Sequence, residues 1–280
     1  MPSIPLDRTE AAILAFVGLL VFGALGASVA PTVRYHLRPA EDSAAVAAAD
    51  RASAAVADAP AYRVALDGRA TATRGDERAT AAFDGEFRVN ATTRRMTARA
   101  TVLDDGPFGD ETDRLHVDGY TAYRPCSRLS FGPARDVFYA VDLPRNRSWR
   151  SYTFLGGLVA AFDAAKLYDE GVETVGGRQA REVRVVLNPS RTDELAARTA
   201  PFEDDAGDDQ ISPLTAPEAT DMRVWISTAS GRPLRLRVSV ERSQLLGPDV
   251  TAQFTYDVAY GPTTAPLPNR TVASEDACPS

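Results

Sequence analysis

From Ala61 onward the chain alternates apolar and polar residues at a period of two: Tyr62, Val64 and Leu66 share one side, then Phe83, Phe87 and Val89, then Met96, Ala98, Ala100 and Val102. Successive strand side chains point to opposite faces, so this pattern predicts strands with one buried face. Breaks at Arg74-Gly75-Asp76 and Asp104-Asp105-Gly106-Pro107 separate the runs, as an antiparallel meander requires. Leu115 to Tyr123 predicts a hairpin that turns at Asp118-Gly119. Between Tyr152 and Tyr168 the spacing becomes helical, with Phe154, Leu158, Phe162 and Leu167 near one side. Strand character returns at Val172 to Val175 and Arg181 to Leu187 around Gly176-Gly177. A short helix fits Thr192 to Ala200, and Met222 to Ser227, Leu234 to Glu241 and Val250 to Tyr260 form the last three strands.

These elements predict a mainly β (α+β) domain over residues 61–261, a curved antiparallel sheet or incomplete barrel covered by helices. An acidic loop at 201–220 interrupts it, and a Pro-rich tail follows at 262–280. Upstream, residues 41–59 are Ala-rich and predict a helix ended by Pro60, read with 31–60 as a stalk or linker. Beyond a short segment at 1–10, Ala11 to Ala30 carries no charge over 20 residues. At about 1.5 Å per residue it spans about 30 Å, the thickness of a bilayer core. This predicts one N-terminal transmembrane helix. A cleaved signal peptide is the competing reading, since Ser28-Val29-Ala30 offers small residues before Pro31. Its apolar run is longer than about 7 to 15 residues, and Arg8 is its one n-region cation.

Cations flank the run on both sides, Arg8 before it and Arg34 and Arg38 after it, and counting positives alone slightly favours the domain inside. Three of the four asparagines stand in Asn-X-Ser/Thr sequons, at Asn90, Asn146 and Asn269, and the fourth, Asn188, precedes Pro189. The sequons favour an extracellular C-terminal domain with glycosylation candidates at those three positions. The only cysteines, Cys126 and Cys278, suit an oxidising compartment, where either a disulfide tying down the tail or two free thiols is open.

Composition narrows the function classes. The chain has 280 residues, 31 Lys+Arg against 38 Asp+Glu and a net charge of -7. No basic stripe is present to neutralise phosphates, which excludes a nucleic-acid binder. Lys166 is the sole lysine, and arginine supplies every other cation. That bias, with abundant aspartate, fits a halophile whose acidic surface keeps it soluble in screening salt; a GC-rich genome produces a similar bias.

Catalytic signatures are absent from the sequence: there is no Gly-X-Ser-X-Gly elbow, Gly-rich phosphate loop or His-Glu-X-X-His helix. The two histidines, His36 and His116, lack a neighbouring nucleophile, and Cys126 has no partner pattern. A non-enzyme without metal or cofactor is expected. Glu203 to Asp209 lacks the alternating ligands of a calcium loop and reads as a solvated loop.

Three motifs carry a family resemblance: Val117-Asp118-Gly119-Tyr120-Thr121-Ala122-Tyr123, Gly176-Gly177-Arg178 leading into a strand, and Val224-Trp225-Ile226 followed by Ser230-Gly231-Arg232-Pro233-Leu234-Arg235. Their order resembles the LolA/LolB-like lipoprotein-carrier superfamily, from about Tyr62 to Tyr260, although Ser227 stands where that family often has Asp. The resemblance implies an incomplete barrel with helices in its concave face and space for an acyl chain. Candidate cavity residues are Tyr62, Val64, Phe83, Phe87, Trp225, Leu236 and Phe254, all of which would equally serve as filled core. A permanent anchor forbids free shuttling. The expected function is therefore a membrane-anchored, haloarchaeal-type surface module that binds a lipid-like ligand or hands it to an envelope protein partner. The alternative is a structural or protein-interaction domain with a filled core.

Overall fold

The computed structural model describes residues 35–103, 111–126, 136–191, 220–242 and 249–278. The apolar run Ala11 to Ala30, the short helix at Thr192 to Ala200 and the acidic stretch Glu203 to Asp209 lie outside the described residues. Among the described residues no helix is long and apolar enough to cross a membrane.

Helix α1 (Ser43–Asp58) precedes strands β1 (Ala61–Arg74), β2 (Glu77–Asn90), β3 (Arg95–Leu103), β4 (Glu111–Asp118), β5 (Thr121–Pro125) and β6 (Phe138–Asp142). A 3-10 turn at Trp149–Tyr152 leads into α2 (Phe154–Asp163). Then follow β7 (Ala165–Val175), β8 (Arg178–Leu187), β9 (Thr220–Ser227), β10 (Pro233–Arg242), β11 (Asp249–Tyr260) and β12 (Thr271–Val272). All twelve strands form one open sheet in the order β12-β6-β5-β4-β3-β2-β1-β11-β10-β9-β8-β7. Every pairing is antiparallel except that of β12 with β6. The predicted meander is therefore two meanders, joined where β1 lies beside β11 with Tyr62 opposite Tyr260.

Three predicted elements differ from the sequence reading. The Ala-rich helix is no stalk: Ala45, Ala48, Ala49, Ala52 and Val56 form a buried stripe against the sheet. Small side chains at helical spacing let its backbone approach β7, β8 and β9 closely. Helix α2 stops at Asp163, and Leu167, which fits the helical period, belongs instead to β7 opposite Val185. The Leu115 hairpin turns at Gly119-Tyr120, one residue later than expected, because Gly119 takes the positive φ of 61° there.

Side chains outside the strands hold the helices in place. Arg150 Nη1 donates to the carbonyls of Val56 (3.1 Å) and Ala59 (3.2 Å), satisfying the C-terminal end of α1 with a cation. Thr153 N-caps α2, its Oγ1 accepting from Gly156 N–H at 3.2 Å. A Cβ on Gly156 would come within 2.0 Å of the Arg150 carbonyl oxygen, so only glycine permits this junction. Lys166 Nζ donates to the carbonyls of Tyr35 and Arg38, both at 3.1 Å. The adjoining Glu41 and Asp42 carboxylates accept from the N–H groups of Leu167 and Asp169 on β7, the sheet's outermost strand. These contacts satisfy donors that an open sheet edge leaves exposed.

Candidate functional site

The register sorts the predicted cavity residues. Tyr62, Val64, Phe83, Leu236 and Phe254 are buried on the helix-covered face, within one apolar cluster. Phe87 shares that face opposite Val64 but is only partly buried. Trp225 does not share it. It pairs with Arg235, while its neighbour Val224 pairs with Leu236, so its side chain points to the opposite face. There it packs with Val175, Ala180 and Leu234, lies under the Arg237 guanidinium at 5.4 Å and donates its indole N–H to Glu173. Strand alternation places Trp225 outside any space between sheet and helices.

On the covered face, the two halves of the sheet are filled differently. Helices α1 and α2 pack over β7 to β9, and Val183, Val185, Met222, Val224 and Val238 beneath are at most 1% exposed. Across β2 to β4 the inward side chains Phe87, Ala98, Val102 and Leu115 are half-buried. They form a half-buried apolar strip, with Phe87 lying beside the start of α2. Phe154 of α2 borders the strip, with its ring centroid 5.3 Å from Phe87 and 4.8 Å from Tyr256. Tyr120 stands edge-on to Tyr152 at 6.4 Å and donates its hydroxyl to the Arg147 carbonyl at 3.1 Å.

Polar groups on this face are few and mostly neutral. Burial pushes the Tyr62 phenol up to about 12, against weaker opposing hydrogen bonds at Thr153 and Leu155. Burial raises the Tyr256 phenol as well. Asp113, opposite Ala100, brings a carboxylate to the margin of the face, where its Oδ1 accepts from Arg114 N–H at 3.0 Å. A partly exposed apolar surface bordered by aromatic rings can hold a hydrocarbon chain; among the described residues it supplies no nucleophile with a base beside it. Among the described residues no group of three His, Cys, Asp or Glu could hold a metal ion.

The other predicted sites fall on the periphery. Cys126 and Cys278 are disulfide-bonded with Cα atoms 5.5 Å apart, tying the tail to the body. His116 donates Nδ1–H to the Pro266 carbonyl of that tail at 2.8 Å, and burial lowers its pKa. Asn146 and Asn269 are exposed. Asn90 is half-buried, donating Nδ2–H to the Thr263 carbonyl (3.1 Å) and accepting from Thr93 N–H (3.0 Å). Sequence reasoning missed Phe154, Val102, Leu115 and Tyr256 as site residues. Each carried an ordinary core signal, and only the sheet register and the position of α2 make them neighbours.

The architecture is a mainly β domain built on one open, largely antiparallel sheet with, among the described residues, helices α1 and α2 on one face. No family model matches the chain, and no curated protein matches it in sequence. Among solved structures it is similar to the Mycobacterium tuberculosis lipoprotein LppX, at 13% identity and a TM-score of 0.41, over 80% of this chain and 100% of that one. It is similar to a LolA superfamily protein from Nitrosomonas europaea at 10% identity and a TM-score of 0.29, over 79% and 94% of the two chains. It is also similar to MucB, at 15% identity and a TM-score of 0.32, over 81% and 61%. MucB has been solved in complex with MucA as well.

Proposed function

We propose that this chain is a non-enzymatic binding module, held at the cell membrane through Ala11 to Ala30 with its β domain outside. It takes the hydrocarbon part of a lipid-like molecule on the half-buried strip of β2 to β4 or hands it to an envelope protein partner. One observation carries the reading: Phe87, Val102, Leu115 and Phe154 remain only partly covered on a face whose other half is closed by helices. Apolar surface of this kind gains about 25 cal/mol per Å² when a ligand removes it from water. The uncharged run, the sequons and the Arg-rich, Lys-poor acidic composition support an anchored surface protein from a high-salt host.

A second reading has its own observation. Tyr62, Val64, Phe83, Leu236 and Phe254 are each no more than 5% exposed and pack on one another, as in a filled core that binds nothing. Native mass spectrometry of the full chain, purified from its host membrane in high salt with lipid extraction, separates the two. The expected result is a stoichiometric acyl-containing adduct, lost on Phe87→Arg and kept on Leu103→Arg, a site 44% exposed elsewhere. A protein that never carries an acyl adduct overturns the ligand reading and leaves the filled-core domain.

A further inference from the structure

The segment Tyr35 to Asp42, just before α1, is a strap clasped to β7, the outermost strand of the sheet. Lys166 Nζ holds the carbonyls of Tyr35 and Arg38, and the Tyr168 hydroxyl donates to the Pro39 carbonyl at 3.0 Å. Asp42 N–H donates to the Leu167 carbonyl at 3.0 Å, and Arg38 N–H turns back to the Tyr35 carbonyl at 3.3 Å. The Tyr35 side chain is buried, with the Lys166 ammonium 5.1 Å from its ring centroid. Together with the Glu41 and Asp42 carboxylates, which accept from β7 N–H groups, these contacts fix the strap at both ends.

Apolar exposure gathers at this edge. Among the described residues three large apolar side chains stay exposed: Leu37 at 79%, Val172 at 49% and Leu103 at 44%. Leu37 stands at the turn of the strap and Val172 on the strand it clasps, whereas Leu103 ends β3 in the other half of the sheet. His36 and Arg38 flank Leu37 and are exposed, while the strap's acids, Glu41 and Asp42, are tied back to β7. An exposed leucine beside an arginine suits the boundary between headgroups and acyl chains, where the apolar side chain sinks and the cation reaches a phosphate.

The length of chain says which surface meets it. Only Pro31 to Arg34 stand between the uncharged run and Tyr35. A fully extended chain covers about 3.5 Å per residue, so Tyr35 lies within about 18 Å of the end of that run. Beyond Tyr35 the strap leaves no slack, and β7 is held at the same short distance. One leucine would not bring a free domain to a bilayer, but the anchor makes the contact intramolecular, at an effective concentration of about millimolar.

We propose that the strap and the β7 edge are a membrane-docking surface, Leu37 entering the interface of the bilayer that holds Ala11 to Ala30 and Arg38 meeting its phosphates. This rests on the reading of Ala11 to Ala30 as a membrane anchor. The test uses the full chain in phosphatidylcholine nanodiscs, with a nitrobenzoxadiazole label on Ala40→Cys, in the strap, or on Asp142→Cys, an exposed site on β6 near the opposite edge. Cys126 and Cys278 are paired, so the introduced thiol alone takes the label. Quenching by a lipid spin-labelled near its headgroup is read with and without about twelve Gly and Ser residues inserted before Tyr35, a flexible tether that removes the constraint of length. Leu37→Asp is made in the lengthened chain; the side chain is exposed, so the fold does not depend on it.

Quenching at position 40 at least fivefold above that at position 142, kept in the lengthened chain and lost there on Leu37→Asp, is expected. Equal quenching at the two positions in the lengthened chain, or no change on Leu37→Asp, overturns the docking surface. Flotation with phosphatidylcholine vesicles separates the two levels of the reading. A chain that fails to float overturns the anchor and the docking with it, whereas a chain that floats with position 40 in water overturns the docking alone.

Discussion

Replacing both Cys126 and Cys278 by serine removes a cross-link that spans 152 residues of sequence. In the chain-entropy treatment a loop of that size restricts the unfolded chain by about 5 kcal/mol, and native bridges of this kind are worth about 2–5 kcal/mol. Whole domains are stable by about 5–15 kcal/mol, so the loss is a large share. The native state offers few contacts to compensate. The tail is held to the body by a two-residue parallel pairing with β6, by Phe138 N–H to the Arg270 carbonyl at 3.0 Å, by His116 to the Pro266 carbonyl and by Asn90 to the Thr263 carbonyl. The assay is urea denaturation of the full chain with and without reductant, beside the double serine variant, after counting free thiols in denaturant. The expected count is zero thiols, with reductant and substitution lowering stability by the same about 2–5 kcal/mol. Two titratable thiols, or a midpoint moved by less than about 0.5 kcal/mol, would refute the view that the tail is covalently part of the cooperative unit.

Three further outcomes follow from the packing. The Tyr62 phenol sits at about 12 in the folded chain against 10 for a free phenol, so the unfolded state loses its proton first. Stability is therefore intact below pH 10 and falls between pH 10 and 12, by about 3 kcal/mol from this group; urea midpoints of wild type and Tyr62→Phe over that range should diverge, and parallel curves would contradict the assignment. Gly68→Ala places a Cβ 2.5 Å from Phe254 Cδ1 and should cost about 1–3 kcal/mol in the same assay; no loss would mean the ring swings aside freely. Arg150→Ala strips two carbonyl acceptors at the end of α1 of a charged donor and should cost about 2 kcal/mol, with faster amide exchange near Val56; exchange unchanged there would show that water replaces the guanidinium.

The existence and approximate ends of the strands were legible in the sequence, because alternation and turn residues are local consequences of backbone geometry. Val64, Phe87 and Ala98 were each assigned to the inward side by period alone, and the register agrees. Trp225 was not legible in this way. It lies in the run Met222 to Ile226, where Val224, Trp225 and Ile226 are all apolar, so no alternation marks its face. The outward pocket that receives it is built by Val175, Ala180 and Leu234 from three other strands. The Ala-rich helix failed for the complementary reason: a stripe of alanines has too little hydrophobic contrast to reveal that it is buried.

By itself the sequence determined the β character of the chain, its uncharged N-terminal run, its acidic and lysine-poor surface and the residue types available for chemistry. Those properties depend on composition and on neighbours a few positions apart. Only the tertiary structure decided that β1 pairs with β11, that Phe154 meets Phe87 beside the apolar strip of β2 to β4, and that Trp225 faces away from the helices. Tyr62 meets Tyr260 and Arg150 meets Val56 across long stretches of chain. Such contacts form when the whole sheet closes on its helices, and no local pattern encodes which distant partner each side chain will find.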